Sequence, residues 1–323
     1  MFAVSVTSLN PDAPLTGLTL GEVPDTVVPE GWVRVHVRAA SLNHHDLWSL
    51  RGVGLLADRL PMILGCDAAG LLDDGSPVVV HAVIGDPEAG GGDETLDPKR
   101  TLLSELHPGT LAETVAVPAR NVVAKPDDLT MEESACLPTA WLTAYRMLAT
   151  KSGLRVGDTV LVQGAGGGVA TAAIQLADAM GYRVWATSRD EAKRARALDL
   201  GAHAAYETGA RLPERVDAVI ETVGEATWSH SLRSLRPGGT VVVSGATSGS
   251  APNADLSRVF FLQLTVHGST MGTRDELEAL LSLLVDTGLR PTIDSTYALP
   301  DARDAFERLE SGEVVGKLVL TVA

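Results

Sequence analysis

The stretch TVLVQGAGGGVATAAIQLADAM, residues 159–180, decides the fold. Its opening TVLVQ is a short apolar run of the kind that makes a buried strand. VATAAIQLADAM then sets Val169, Ala173, Leu176 and Met180 on one helical face, and Gly181 is suited to closing that helix. Between strand and helix lies a run of small residues. A tight turn there aims the backbone N–H groups of Ala165, Gly166, Gly167, Gly168 and Val169 at an anion, and the start of the helix adds the positive end of its dipole. Glycines alone would mean little. Placed after a strand and before a helix, with the further strand RVWAT (183–187) beyond, they predict a dinucleotide-binding unit. Ala170 stands where a last glycine is usual and is still small enough for close helix–sheet packing.

Working outward, strands and helices keep alternating. EAKRARALDL reads as a helix, VDAVIET as a strand, TWSHSLRSL as a helix, TVVVSG and LTVHGST as strands, and Thr273 with Glu276 caps the helix that follows. That order predicts a doubly wound parallel sheet. Residues 1–125 have another character. WVRVHVRAASLN alternates, with Val33, Val35 and Val37 on one face, and further short apolar runs are punctuated by turns. The polar segment 85–100 reads as a mobile loop. LTMEESACLPTAWLTAYRML reads as a helix capped by Thr130 and Glu133 and kinked at Pro138. From about residue 291 the chain returns to its first style, with an amphipathic helix and a closing strand. The expected organisation is therefore a strand-rich domain of residues 1–125 and 271–323 around an α/β domain of residues 126–270.

At 323 residues the chain is long enough for two cores. Its composition, 45% hydrophobic and 21% charged, is that of a soluble globular protein. No apolar run is long enough for a bilayer and the N-terminus lacks a signal-peptide pattern, so a cytoplasmic protein without membrane contact is expected. A net charge of −15 disfavours nucleic acid as a partner. An anionic cofactor must then be held by local N–H groups and a few basic side chains. Cys66 and Cys136 exclude both a disulfide framework and a four-cysteine zinc site.

The strand RVWAT ends at Ser188 and Arg189, with Lys193 one helical turn on. An NAD site usually places a carboxylate there for the ribose 2′-hydroxyl. A hydroxyl and two cations suit a 2′-phosphate and favour NADPH. The alternative is structural: Ser188 and Glu191 also fit a capping box, the cations fit a solvated helix face, and Asp190 offsets some of their charge.

Seven stretches, AASLNHHDLWSLRG (39–52), PMILGCDAAG (61–70), LPTAWLTAYRML (137–148), LVQGAGGGVATAAIQLA (161–177), VGEATWSHSL (223–232), GSTMGTRDEL (268–277) and GKLVLT (316–321), together resemble the medium-chain dehydrogenase/reductase superfamily. The resemblance covers nearly the whole chain and is nearest to its zinc-free, quinone oxidoreductase-like members. It implies an α/β fold: a GroES-like strand-rich catalytic domain plus a Rossmann domain, with the active site in the cleft between them. It also implies a homodimer or homotetramer joined at the sheet edge, here VFFLQLTVHGS (259–269). The places of the catalytic zinc ligands correspond to Asn43, Cys66 and Thr139, a set with one good zinc donor, so no metal is expected. An unusual site using the nearby His44, His45 or Asp67 is the alternative.

Without a Lewis acid, hydride transfer to a quinone or an α,β-unsaturated carbonyl is easier than alcohol oxidation. The expected substrate is a small molecule of that class. Asn43 is a candidate donor to the developing oxyanion, and His45, at the place of the family's relay hydroxyl, a candidate proton donor. By resemblance, His44 and Lys317 contact the cofactor pyrophosphate and Thr143 lies near the nicotinamide. Val223 and Gly224 lie on the adenosine side, Ser244, Gly245 and Ala246 meet the nicotinamide ribose, and Met271 and Gly272 complete the site. Other readings are an alcohol dehydrogenase with an atypical zinc site and a non-catalytic NADPH-binding protein.

Overall fold

Residues 159–180 fold as the strand Thr159–Val162, a glycine loop and the helix Gly168–Ala179. The computed structural model describes Met1–Ala323 throughout and divides into two units, Met1–Ala140 with Thr273–Ala323, and Trp141–Gly272.

The second unit is built on six parallel strands. Across the sheet they run Ala204–Tyr206, Arg183–Thr187, Thr159–Val162, Val216–Glu221, Leu235–Val243 and Thr265–Gly268. The run Val160, Leu161 and Val162 is wholly buried, as are Ala218, Val219 and Ile220, which is why these strands read as continuous apolar runs rather than alternating ones. Strand order reverses between Thr159–Val162 and Val216–Glu221. The glycine loop therefore emerges at the switch point, where open α/β sheets take their ligands. This is the Rossmann arrangement.

The first unit has a seven-stranded sheet centred on the long strand Trp32–Ser41. Asp67–Leu72 pairs antiparallel on one side of it and Lys317–Thr321 on the other. Val35 and Val37 are fully buried with Leu47, Leu50, Phe306, Leu318 and Leu320 in one core. Each such aliphatic or aromatic side chain contributes about 1.5–3 kcal/mol by leaving water.

Three expectations are revised. Thr130 and Glu133 do form the reciprocal cap, but the helix Met131–Ala135 is short and Pro138 is absorbed into the wider π-helical turn Leu137–Trp141. That helix packs on strands Trp32–Ser41 and Asp67–Leu72, so residues 126–140 fall in the first unit. Segment 85–100, read as a mobile loop, is a folded lobe. The Asp97 carboxylate accepts the N–H groups of Asp86 and Lys99, both at 2.8 Å, and the buried Glu94 accepts that of Arg274 at 2.7 Å. Carboxylates there satisfy backbone donors that no sheet partner reaches.

Candidate functional site

The glycine loop makes a cradle that side chains would fill. Gly164 has φ +76°, and a Cβ there would lie 2.7 Å from Val223 Cγ2. A Cβ on Gly166 would meet Lys193 Cδ at 2.9 Å, so Lys193 lies across the loop rather than out on the helix face. At Gly167, by contrast, a Cβ would meet nothing within 4 Å. Ala165 N–H, expected to face the anion, instead donates to Thr187 O at 2.8 Å and ties the loop to the next strand. Gly167 caps the helix Gly168–Ala179 with no side-chain acceptor, which leaves its first N–H groups, including that of Val169, for a ligand. Gly224, with φ +91°, packs against Ala246 and Gly249, and Gly245 against Thr222, so Val223, Gly224, Ser244, Gly245 and Ala246 gather at this end of the sheet. These residues fit a dinucleotide. Thr143 is buried in the turn Leu142–Tyr145, and Met271 is nearly buried with φ 51°.

At the end of strand Arg183–Thr187, Ser188 is buried and Arg189 exposed. The capping alternative for Ser188 is overturned: Asp190 is the N-cap of helix Glu191–Asp199, its carboxylate accepting Lys193 N–H at 3.0 Å. Arg194 donates to Ser188 O at 2.8 Å and so braces the strand end. The Asp190 carboxylate is thereby committed to its own helix.

Sequence reading missed the layer beneath the cradle. The Thr187 hydroxyl donates to Gln163 Oε1 at 2.5 Å, Gln163 Nε2 donates to Ser231 Oγ at 3.0 Å, and Ser231 donates to Glu221 Oε2 at 2.6 Å. Glu221 Oε1 in turn accepts the N–H groups of Val223 and Gly224 at 2.8 and 3.0 Å. This buried chain links the ends of three strands and sets the loop that packs on Gly164. The polar residues ending apolar strands, Gln163 and Glu221, were the available signal.

In the first unit, the pairing of Val319 with Ser41, and of Ser41 with Asp67, brings Lys317 beside Asn43 and Asp67. Lys317 is 2% exposed, and its ammonium donates to Leu42 O at 2.8 Å, Asn43 Oδ1 at 2.7 Å and Asp67 Oδ2 at 3.1 Å. All three of its protons are spent, so the pyrophosphate contact expected of Lys317 is replaced by a structural one. Asn43 Nδ2 donates to Asp67 Oδ2 at 2.8 Å, which commits the amide offered as an oxyanion donor. Asp46 is buried, accepting Asn43 N–H at 2.8 Å and Gly65 N–H at 3.1 Å, and burial raises its pKa to about 6. His44 is exposed and His45 half-buried at the start of helix His44–Leu50.

The zinc-ligand places do not fit a metal. Asn43 is bound as described. The Cys66 thiol donates to Leu103 O at 3.2 Å, and burial pushes its pKa well above the ordinary value. Thr139 offers a hydroxyl, a poor zinc donor. No group of three His, Cys, Asp or Glu side chains is arranged to hold a metal ion.

A family model described as zinc-binding dehydrogenase matches residues 168–286, and one described as alcohol dehydrogenase GroES-like domain matches residues 29–127. An alcohol dehydrogenase of Geobacillus stearothermophilus is 30% identical over 330 residues, covering 94% of this chain and 95% of its own. An acryloyl-coenzyme A reductase of Metallosphaera sedula is 30% identical over 332 residues, covering 94% and 96%. The spectinabilin polyketide synthase system protein NorB of Streptomyces orinoci is 32% identical over 319 residues, covering 94% of this chain, which spans only 14% of that protein. Among solved structures, an NAD-dependent alcohol dehydrogenase superposes with TM-score 0.91 at 32% identity, each chain covered completely. The 2-octenoyl-CoA carboxylase reductase CinF in complex with NADP and 2-octenoyl-CoA superposes with TM-score 0.90 at 25% identity, covering 99% of this chain and 87% of that one. The chain is an oxidoreductase of the medium-chain dehydrogenase/reductase superfamily, built from a GroES-like domain and an NAD(P)-binding Rossmann domain.

Proposed function

We propose that this oxidoreductase uses NADPH to reduce a quinone or an α,β-unsaturated carbonyl compound without a metal. The end of the strand Arg183–Thr187 carries the cofactor reading: Ser188 and Arg189 stand where an NAD site keeps a carboxylate. Lys193 across Gly166 adds a cation for the cofactor phosphates. The metal-free reading follows from the committed state of Asn43, Cys66 and Lys317. When bound, reduced nicotinamide supplies a hydride. The chain's own residues orient the reactants, and the half-buried His45 serves as the proton donor to the substrate oxygen. Asn43 acts through the Lys317–Asp67 cluster as a positioning residue. The names of the acryloyl-CoA reductase relative and of the NADP-containing neighbour support a conjugated carbonyl substrate. An NAD-dependent alcohol dehydrogenase is the second reading, favoured by the neighbour of that name at 32% identity.

The deciding experiment titrates the purified chain with NADPH and NADH, then follows oxidation of the bound cofactor by enones, quinones and aldehydes. Tighter NADPH binding and turnover with enones or quinones are expected. Alcohol oxidation with NAD and a stoichiometric zinc ion would refute the reading. Arg189→Ala is expected to weaken NADPH about tenfold and NADH hardly at all; equal effects would exclude a 2′-phosphate contact.

We also propose a homodimer or homotetramer joined at the strand Thr265–Gly268. That strand ends the six-stranded sheet, all four residues are exposed, and the preceding helix exposes Leu256, Phe260 and Phe261 by 70%, 61% and 77%. An open edge beside an apolar patch favours pairing with a second copy. Two buried, unpaired thiols suit the reducing cytoplasm.

A further inference from the structure

We propose that Ser104 and Glu105 are positioning residues for His45, holding one nitrogen of its ring so that the other exchanges a proton with the substrate. The proposal rests on the reductase reading and adds two residues to it.

Ser104 has an unusual backbone conformation. Its φ is +68°, in the left-handed region where a side chain costs about 1 kcal/mol and glycine nothing. The residue is nevertheless a serine, fully buried, in a turn closed by Ser104 N–H donating to His107 O at 2.8 Å. Its hydroxyl has two neighbours, His45 Nε2 at 3.2 Å and Cys66 Sγ at 3.7 Å.

The direction of these bonds follows from the last link. Cys66 donates its one proton to Leu103 O at 3.2 Å. Burial keeps that thiol protonated. Its sulfur is left to accept from the Ser104 hydroxyl, and the Ser104 oxygen then accepts from His45 Nε2–H. The neutral ring therefore carries its lone pair on Nδ1, which no group of the chain engages. Glu105 Oε1 lies 3.9 Å from the same Nε2, within ion-pair distance whenever the ring carries its second proton. Gly54 leaves room for the pair, because a Cβ there would stand 3.1 Å from Glu105 Oε1 and 4.0 Å from His45 Cε1. One nitrogen anchored by an orienting partner and one left open is the arrangement of a general acid–base histidine.

Hydride, which reduced nicotinamide would supply as its C4–H bond breaks, adds to the electrophilic carbon, and an electron pair of the conjugated system moves to the carbonyl oxygen. The Nδ1–H bond of the imidazolium breaks, its electrons stay on the ring, and the proton passes to that oxygen. A proton taken up from bulk solvent later returns to Nδ1, while Nε2–H keeps donating to Ser104 Oγ throughout.

Ser104→Gly relieves the backbone and deletes the hydroxyl, which separates function from folding. With NADPH and 2-cyclohexenone, its kcat is expected to fall at least about tenfold, its KM for NADPH to stay within about twofold, and its Tm to hold or rise. Nitrogen-15 spectra of the His45 ring should show the Nε2–H tautomer in the parent and a mixture in the variant. Glu105→Gln, which keeps the shape, should lower kcat and leave the neutral tautomer unchanged. If His45→Asn loses activity while Ser104→Gly and Glu105→Gln keep it, the positioning role is overturned. Full activity in His45→Asn overturns the proton-transfer role itself. If no enone or quinone oxidises NADPH, the reductase reading fails, and an unaltered tautomer in Ser104→Gly then independently disproves the anchor.

Discussion

Replacing Lys317 with methionine keeps the aliphatic stem and removes the charge. The ammonium now holds Leu42 O, Asn43 Oδ1 and Asp67 Oδ2 at 2.7–3.1 Å, with Lys317 2% and Asp67 0% exposed. The variant leaves the Asp67 carboxylate buried with only Ser41 Oγ and Asn43 Nδ2 as donors, its Oδ1 being already without a partner. Removing one side of a buried ion pair costs about 3–5 kcal/mol. At about 2–4 °C per kcal/mol for a unit of this size, its melting transition should fall by about 6–20 °C. Asp67→Asn in the same chain removes the stranded charge, so the double variant should recover a large part of the loss. Calorimetry and urea unfolding of the four proteins of the cycle would give a coupling above about 1 kcal/mol. A Lys317→Met protein melting within about 2 °C of the parent, or a double variant no more stable than the single one, would show that the cluster is not a coupled ion pair.

The glycine cradle makes a contrasting prediction. Gly167 has φ −68°, and an added Cβ meets no atom within 4 Å, so Gly167→Ala should melt like the parent yet bind NADPH at least about tenfold more weakly by calorimetric titration; undiminished affinity would remove this loop from the cofactor site. Burial, the largest cause, pushes the folded Asp46 carboxyl from its ordinary 3.8 up to about 6, with His45 opposing the shift. Because the folded state holds this proton more tightly, its contribution is full below about pH 4, is lost as pH rises to about 6, and amounts to roughly 3 kcal/mol. Urea unfolding of Asp46→Asn should lack that slope, and a slope equal to the parent's would assign it to other groups. Val266→Lys on the exposed edge strand should reduce the oligomer to monomers in sedimentation velocity, and an unchanged sedimentation coefficient would place the interface elsewhere.

Sequence alone determined the strand, glycine loop and helix of residues 159–180, the caps at Thr130 and Thr273, and the alternating strand within WVRVHVRAASLN. Those features depend on residues within a turn or two of each other, where backbone freedom, hydrophobic period and end capping act without tertiary help. Once the resemblance marks Asn43, Cys66 and Thr139 as the places of the superfamily's zinc ligands, their poor donor chemistry was legible too. Only the tertiary structure decided what Lys317 and Asn43 do. Sheet register joins Lys317 to an aspartate 250 residues away, and nothing local to either residue encodes that register. The same holds for the chain from Thr187 through Gln163 to Glu221 and for Ser104 against His45. A polar side chain's task is set by which partner folding carries to it, and buried hydrogen bonds form between strands and loops that meet only when the core closes.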